Sequence, residues 1–366
     1  MRSIYTGFAP YGGADTFFAG ANTGRGFIGV YDTIADEGAR EHVYIIKGAS
    51  GTGKSTLMRK IAEEAETAGY PVRRYLCGSD PTSLDAVVLD ERIVVLDGTA
   101  PHSRDMVYPG AASSLIDVSR FWKRDRLAEN RAELVACGAE KSAAFTAGTR
   151  YLAAAEMAEA ESHEAMARCV DREKLERFCT RTAPKKGTGT VGRAHAYRTH
   201  GIGMRGLACT TGPAAAERYG IADGLGAGTV LLAALENAYL RRGEDVWIGL
   251  HPIGDRITSL YIPSQDRLYS LMAEGDGGVD KTIHMTRFAQ KEPVGEDRGR
   301  AKLAIRVAAG LMDEAVRAFH RAGEAHFRIE ELYRAAMDFR ALERYAKTVR
   351  AEILGRLAGK GGAEAT

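Results

Sequence analysis

No apolar run in the 366-residue chain approaches the roughly 20 residues that a membrane-spanning helix needs, so the sequence predicts no span. Net charge is nearly absent as well. Fifty Lys and Arg stand against 48 Asp and Glu, a balance of +2. Such a balance leaves no electrostatic footprint for nucleic acid or for an anionic membrane. Cysteine is scarce: Cys77, Cys137, Cys169, Cys179 and Cys209. Their number is odd and they form no CxxC pair, so neither a disulfide framework nor a zinc site is indicated. A reducing cytoplasm fits best. The stretch MRSIYTGFAPYGGADTFF lacks the apolar core of a secretory signal, and the expected location is cytoplasmic. What remains is the profile of a soluble globular protein, 45% hydrophobic and 27% charged, with length enough for two domains.

Glycine is plentiful, and it marks two turns. GASGTGKST runs from Gly48 to Thr56, and GLGAGTVLL runs from Gly224 to Leu232. The first follows VYIIK (43–47), which reads as a short buried strand. It precedes STLMRKIAEEAETAG, which reads as a helix with Leu57, Ile61, Ala62 and Ala65 near helical spacing and Gly69 at its end. VRRYLC (72–77) and RIVVLD (92–97) read as further strands, with a short VVL (87–89) between them. This order implies an α/β core, a mostly parallel sheet with crossover helices. From about Leu115 to Arg181 the pattern turns helical and charged, too long for one compact helix. It reads as two or three helices forming an arm beside the sheet. TAPKKGTGTVGR (182–193) reads as a linker. TVLLAALENAYLRRG then reads as a helix, with DVWIGL (245–250) and SLYIP (259–263) as strands. From about Lys302 to Leu357 the chain is helical again, and AGKGGAEAT reads as a frayed end.

The halves therefore share one order, and residue matches point to duplication. Gly51-Thr-Gly53 lies against Gly226-Ala-Gly228, Leu57 against Leu232, and Val72 against Val246. In the arms, D-x-x-x-L-E-R-F (Asp171–Phe178) lies against D-x-x-x-L-E-R-Y (Asp338–Tyr345). The expected domains are 1–183, an active core plus helical arm, and 184–366, a degenerate core plus helical arm.

The first turn satisfies G-x-x-x-x-G-K-[ST] in its strand-to-helix setting. Gly48, Ser50, Gly51, Thr52, Gly53, Lys54, Ser55 and Thr56 are the candidate phosphate-binding residues. Glycines let backbone N–H groups wrap a triphosphate, and the helix N-terminus adds its positive dipole end. Lys54 is suited to the β- and γ-phosphates, and Ser55 offers a hydroxyl to Mg²⁺. An acid on the magnesium side belongs at the end of an apolar strand. Asp97 stands there, and Asp90, after Val87-Val88-Leu89, is its rival. The longer strand favours Asp97. In the loop Cys77-Gly-Ser79-Asp80-Pro81, Asp80 either orients an attacking water or caps the turn. His102 either contacts a γ-phosphate or is a plain loop histidine. A basic group usually balances transition-state charge, and Arg120, Lys123, Arg124 and Arg150 are available on the arm. Nothing in the sequence selects one. In the second turn the lysine position is Thr229 and the serine position is Val230.

YIIKGASGTGKSTLMRKIA, CGSDPTSLDAVV, VVLDGTAPH, YPGAASSLIDVSRFW and RYLAAAEMA together resemble a family of tandem P-loop ATPases. That family occurs mainly in Gram-positive, often spore-forming bacteria, and its members are described variously as ATPases or nucleotide-kinase-like proteins. The resemblance runs from about Gly24 through Leu354 and is strongest from Tyr44 to Trp122. The family's C-S-S-D-P loop is matched by CGSDP and its D-G-T-A-P-H segment by Asp97–His102. The pattern places no acid at Asp90, which favours Asp97 further. The resemblance implies P-loop cores in both halves, and this chain departs from it at Thr229 and Val230. The counterpart of D-G-T-A-P-H in the second half is expected at Asp280-Lys-Thr-Ile-His284. The expectation is a Mg²⁺-dependent P-loop NTPase using ATP, with a possible protein partner reached through the arms. A phosphotransferase and a nucleotide-gated interaction protein with little turnover are the alternatives.

Overall fold

Each half of the chain builds a six-stranded sheet, and the elements recur in the same order. The computed structural model describes residues 10–13, 15–100, 103–184, 189–224, 226–272, 278–290 and 295–359. The first half opens with β1 (Thr16–Phe18), a hairpin of β2 (Gly20–Thr23) and β3 (Gly26–Gly29), and the short α1 (Tyr31–Ile34). There follow β4 (His42–Lys47), α2 (Lys54–Thr67), β5 (Val72–Leu76), β6 (Leu84–Leu89), β7 (Ile93–Asp97) and β8 (Ser113–Asp117). Its helical arm is α3 (Arg124–Glu129), α4 (Arg131–Ala167) and α5 (Arg172–Thr182). The second half opens with β9 (Ala194–Tyr197) and a hairpin of β10 (His200–Gly203) and β11 (Gly206–Cys209). It continues with β12 (Glu217–Ala222), α6 (Gly228–Leu240), β13 (Val246–Leu250), β14 (Ile257–Ile262), β15 (Arg267–Leu271) and β16 (Lys281–His284). Its arm is α7 (Gly295–Ala335) and α8 (Phe339–Leu357).

The first sheet has the order β1-β5-β6-β7-β4-β8, and the second, read from its β9 edge, is β9-β13-β14-β15-β12-β16. Strand for strand these are the same topology. In each sheet three pairings are parallel and two antiparallel. The chain is thus a duplicated, mixed α/β structure. β4 is buried along nearly its whole length, as a strand between two parallel neighbours under a helix must be. α2 turns Leu57, Met58, Ile61, Ala62 and Ala65 inward. In α6, Leu231, Leu232, Leu235 and Tyr239 do the same. β6 runs against both its neighbours. Asp90 and Glu91 are the central residues of a tight turn, with φ of 51° and 53°, the left-handed geometry that lets adjacent strands keep their twist.

The arms lie across the molecule, each away from its own sheet. α4 has 37 residues and α7 has 41, about 55 and 60 Å at 1.5 Å per residue. They pair along their length through small residues: Ala304, Ala308, Ala315, Ala318 and Ala322 are buried on α7. On α4, Gly148 lies against Phe319, and a Cβ there would stand 2.5 Å from the ring. Each long helix carries the chain to the opposite half. There α5 packs Leu175 and Cys179 into the core of α6 and β12–β15. α8 packs Leu342, Ala346, Val349, Ile353 and Leu357 into the core of α2 and β4–β7. The joints match. Asp171 and Asp338 each cap their helix, accepting the N–H three residues on at 3.0 Å. The Asp171 N–H donates to Phe288 O and the Asp338 N–H to Phe121 O. The shared D-x-x-x-L-E-R pattern is therefore a cap followed by a buried leucine.

One expected correspondence is corrected. Asp280–His284 does not match Asp97–His102. Lys281–His284 forms β16, which pairs with β12 as β8 pairs with β4. The counterpart of Asp97 is Leu271, since Leu271 stands opposite Ile221 in β12 as Asp97 stands opposite Ile46 in β4.

Candidate functional site

At the end of β4 the chain wraps through Gly48–Gly53 and enters α2 at Lys54. Gly51 and Gly53 have φ of 73° and 90°, a region that side chains with a Cβ avoid. Space also demands glycine here. A Cβ at position 51 would stand 2.7 Å from the Glu330 carbonyl oxygen, and one at 53 would stand 3.1 Å from Leu342. The joint between α7 and α8 therefore lies directly on this turn. The buried Thr52 hydroxyl donates to Ala49 O at 2.7 Å and ties the turn across itself.

Lys54 is buried, at 7% exposure. Its ammonium donates to Ala49 O at 2.6 Å and to Gly48 O at 3.4 Å, and stands 3.6 Å from Asp97 Oδ2. The turn thus encloses a cation with one carboxylate facing it. Asp97 Oδ1 accepts the Thr99 N–H at 2.9 Å, and the Thr99 hydroxyl donates to Gly48 O at 2.8 Å. The end of β7 is stitched to the turn by these bonds. Asp90 sits at the opposite end of the sheet, in the β6–β7 turn, 3.5 Å from Arg92. The antiparallel course of β6 puts it there. The Ser55 hydroxyl accepts the Leu84 N–H at 3.0 Å and keeps its own hydrogen to donate. Ser50 is half-buried and Thr56 exposed. His102 lies outside the described residues.

Asp80 is buried and heavily bonded. Its Oδ1 accepts from Arg205 Nε at 2.7 Å, from the Thr82 hydroxyl at 2.7 Å and from the Thr82 N–H at 3.1 Å; a longer 3.4 Å bond from Arg205 reaches Oδ2. Burial alone would raise its pKa. The Arg205 and Thr82 bonds outweigh burial and hold the carboxyl below its ordinary value. Asp80 thus caps the turn and is ionised as well. Arg205 belongs to the β10–β11 hairpin, 125 residues away in the chain, and sequence reasoning gave no sign of it. Lys47 also went unremarked: it donates to Gly98 O at 2.9 Å, beside Asp97.

The second turn is chemically different. Asp223 takes the place of Gly48, and its Oδ1 accepts the Ala227 N–H at 2.8 Å. A fixed carboxylate therefore sits at the N-terminus of α6, where the first half presents open backbone. Thr229, Val230 and Leu271 stand where the first half has Lys54, Ser55 and Asp97. A groove of about 670 Å³ runs between α5 and α6 on this half, lined by Arg172, Glu176, Thr229 and Arg241 among others.

Among the described residues, no group of three or more His, Cys, Asp or Glu is arranged to hold a metal ion, and no helix is long and apolar enough to cross a membrane. No family model matches the chain, and no curated protein or solved structure matches it either.

Proposed function

We propose that this chain is a Mg²⁺-dependent P-loop NTPase, a member of the tandem family its motifs resemble, binding and hydrolysing ATP in the first half. The observation that carries the reading is the buried Lys54 ammonium, held inside a glycine turn between β4 and α2, with Asp97 3.6 Å away at the end of the adjacent strand. A buried cation with two carbonyls and one carboxylate around it is arranged to exchange those weak partners for phosphate oxygens. The residues fit the expected group. Gly51 and Gly53 shape the backbone cradle, the α2 N-terminus faces it, and Lys54 neutralises β/γ charge. Ser55 and Asp97 would hold Mg²⁺ together with phosphate oxygens, and the ion, when bound, offsets phosphate charge. Asp80, kept ionised, orients water through its less encumbered Oδ2. In hydrolysis the water oxygen bonds to the γ-phosphorus. The bond from that phosphorus to the β–γ bridging oxygen breaks with its electron pair on ADP; one water proton stays on the new P–O–H and the other passes to an oxygen of the released phosphate.

The second half is structural or regulatory in this reading. Without the lysine, a triphosphate there would meet helix-end dipoles worth about 0.3–1 kcal/mol each, against the roughly 8 kcal/mol of micromolar affinity, and Asp223 repels it. The test is purified protein with γ-labelled ATP, separating phosphate release from transfer to a metabolite pool. Mg²⁺-dependent release without acceptor is the expected result. Label found on an acceptor, with little release, would replace hydrolysis by phosphotransfer.

A further inference from the structure

Within this reading of the first-half site, we infer that the second half serves it in cis by supplying Arg205, whose guanidinium balances the charge that grows on the γ-phosphoryl group. The β10–β11 hairpin is docked closely on the Cys77–Asp80 loop. The Met204 N–H donates to Ser79 O at 2.8 Å, and a Cβ at Gly203 would stand 2.3 Å from that same oxygen. From this base Arg205 pairs with Asp80 and lies 5.0 Å over the Phe327 ring, so its planar fork has a fixed direction. Two links connect it to the glycine turn. The Asp80 loop continues to Leu84, whose N–H is held by Ser55. Glu330, which interacts electrostatically with Arg205, is the residue whose carbonyl lies on Gly51.

Arg120 stacks on Phe121 and Tyr345, and Lys123, Arg124 and Arg150 are exposed on the arm; what sets Arg205 apart among the described residues is its ion pair with Asp80. The pseudo-symmetry supplies an internal control. Arg25, in the β2–β3 hairpin, crosses to pair with Asp255 of the second half, as Arg205 crosses to Asp80. Both pairs tie the halves together, but only the Arg205 pair borders a turn that carries a lysine. Asp255 has a second partner in the buried Arg198 at 2.6 Å, so the two arginines match in place and not in every contact; a chemical role makes Arg205 alone matter for the turnover of bound ATP.

The experiment measures Mg²⁺-ATP affinity by calorimetry and phosphate release for the full chain and its variants. Arg205→Ala should keep the dissociation constant within about threefold and lose turnover by about 100-fold or more. Arg205→Lys keeps the charge and much of the packing, but it lacks the fork and should remain impaired at least about tenfold. Arg25→Ala should turn over within about twofold of the wild type, since no transition-state contact is removed. Arg205→Ala turning over like the wild type would overturn the inference, as would equal losses in Arg205→Ala and Arg25→Ala. A wild-type chain that binds ATP without hydrolysing it would overturn hydrolysis and the role of Arg205 together and leave the binding site standing, whereas Arg205→Ala turning over like the wild type overturns the inference alone. A wild-type chain that binds no nucleotide would overturn the site and the inference together.

Discussion

Replacing Ile353 by alanine tests the helix exchange through packing. Ile353 belongs to the last helix of the chain, yet it is fully buried in the core that α2 and β4–β7 form near the start. Truncating a buried isoleucine to alanine destabilises by about 2–5 kcal/mol, because transfer free energy and a residual cavity add. With about 3 kcal/mol lost and 2–4 °C per kcal/mol for a domain of this size, melting should fall by about 6–12 °C. The location of the effect is more telling than its size. Hydrogen–deuterium exchange should quicken in α2 and β4–β8 and stay unchanged in β12–β16. Leu175→Ala should do the reverse, since Leu175 is buried against α6 and the second sheet. If Ile353→Ala loosened the sheet of its own half and spared the first, the exchange of α5 and α8 would be refuted.

Two further outcomes follow from the site and from buried histidines. Asp97→Asn should keep ATP binding and lose Mg²⁺-dependent turnover, whereas Asp90→Asn should leave turnover within about twofold, asparagine being well suited to the left-handed backbone there; a damaging Asp90→Asn would reverse the assignment. Burial lowers the pKa of His163 and His200 to about 4 and that of His251 well below its ordinary value. The unfolded chain then binds more protons below the ordinary value of 6.5, so stability is full above that pH and falls as the medium is acidified toward 4. The half-buried His163 and His200, each shifted from 6.5 to about 4, contribute up to about 3 kcal/mol apiece to that loss. Thermal melting between pH 7 and pH 4 should show it, and a flat melting temperature would contradict it.

The glycine turn was legible because its parts are contiguous: an apolar strand, the glycines, and a helix that begins at the lysine. The duplication was legible for a similar reason, since a capping aspartate and a leucine four residues on are local requirements of one helix start. Partnership across distance was not legible. The apolar stripes of α5 and α8 announce burial without saying against what, and only the lengths of α4 and α7 carry each to the other half. Strand length and the family pattern favoured Asp97, but what separates it physically from Asp90 is strand direction. That direction turns on Asp90-Glu91, a pair with a weaker turn signal than the Asn-Gly or Asp-Gly that tight hairpins favour. β15 and β16 were missed because Arg267–Leu271 and Lys281–His284 are short and each opens on a charged residue. That miss produced the mistaken match at Asp280–His284. Asp223 was passed over because the comparison of the two turns began at the glycines.

Titration calorimetry with Mg²⁺-ATP tests the central claim most directly. The wild-type chain should bind one nucleotide per chain, and Lys54→Ala, which removes the only lysine enclosed by either turn among the described residues, should abolish binding. A stoichiometry near two, tight binding that survives Lys54→Ala, or no binding by the wild type would contradict the account.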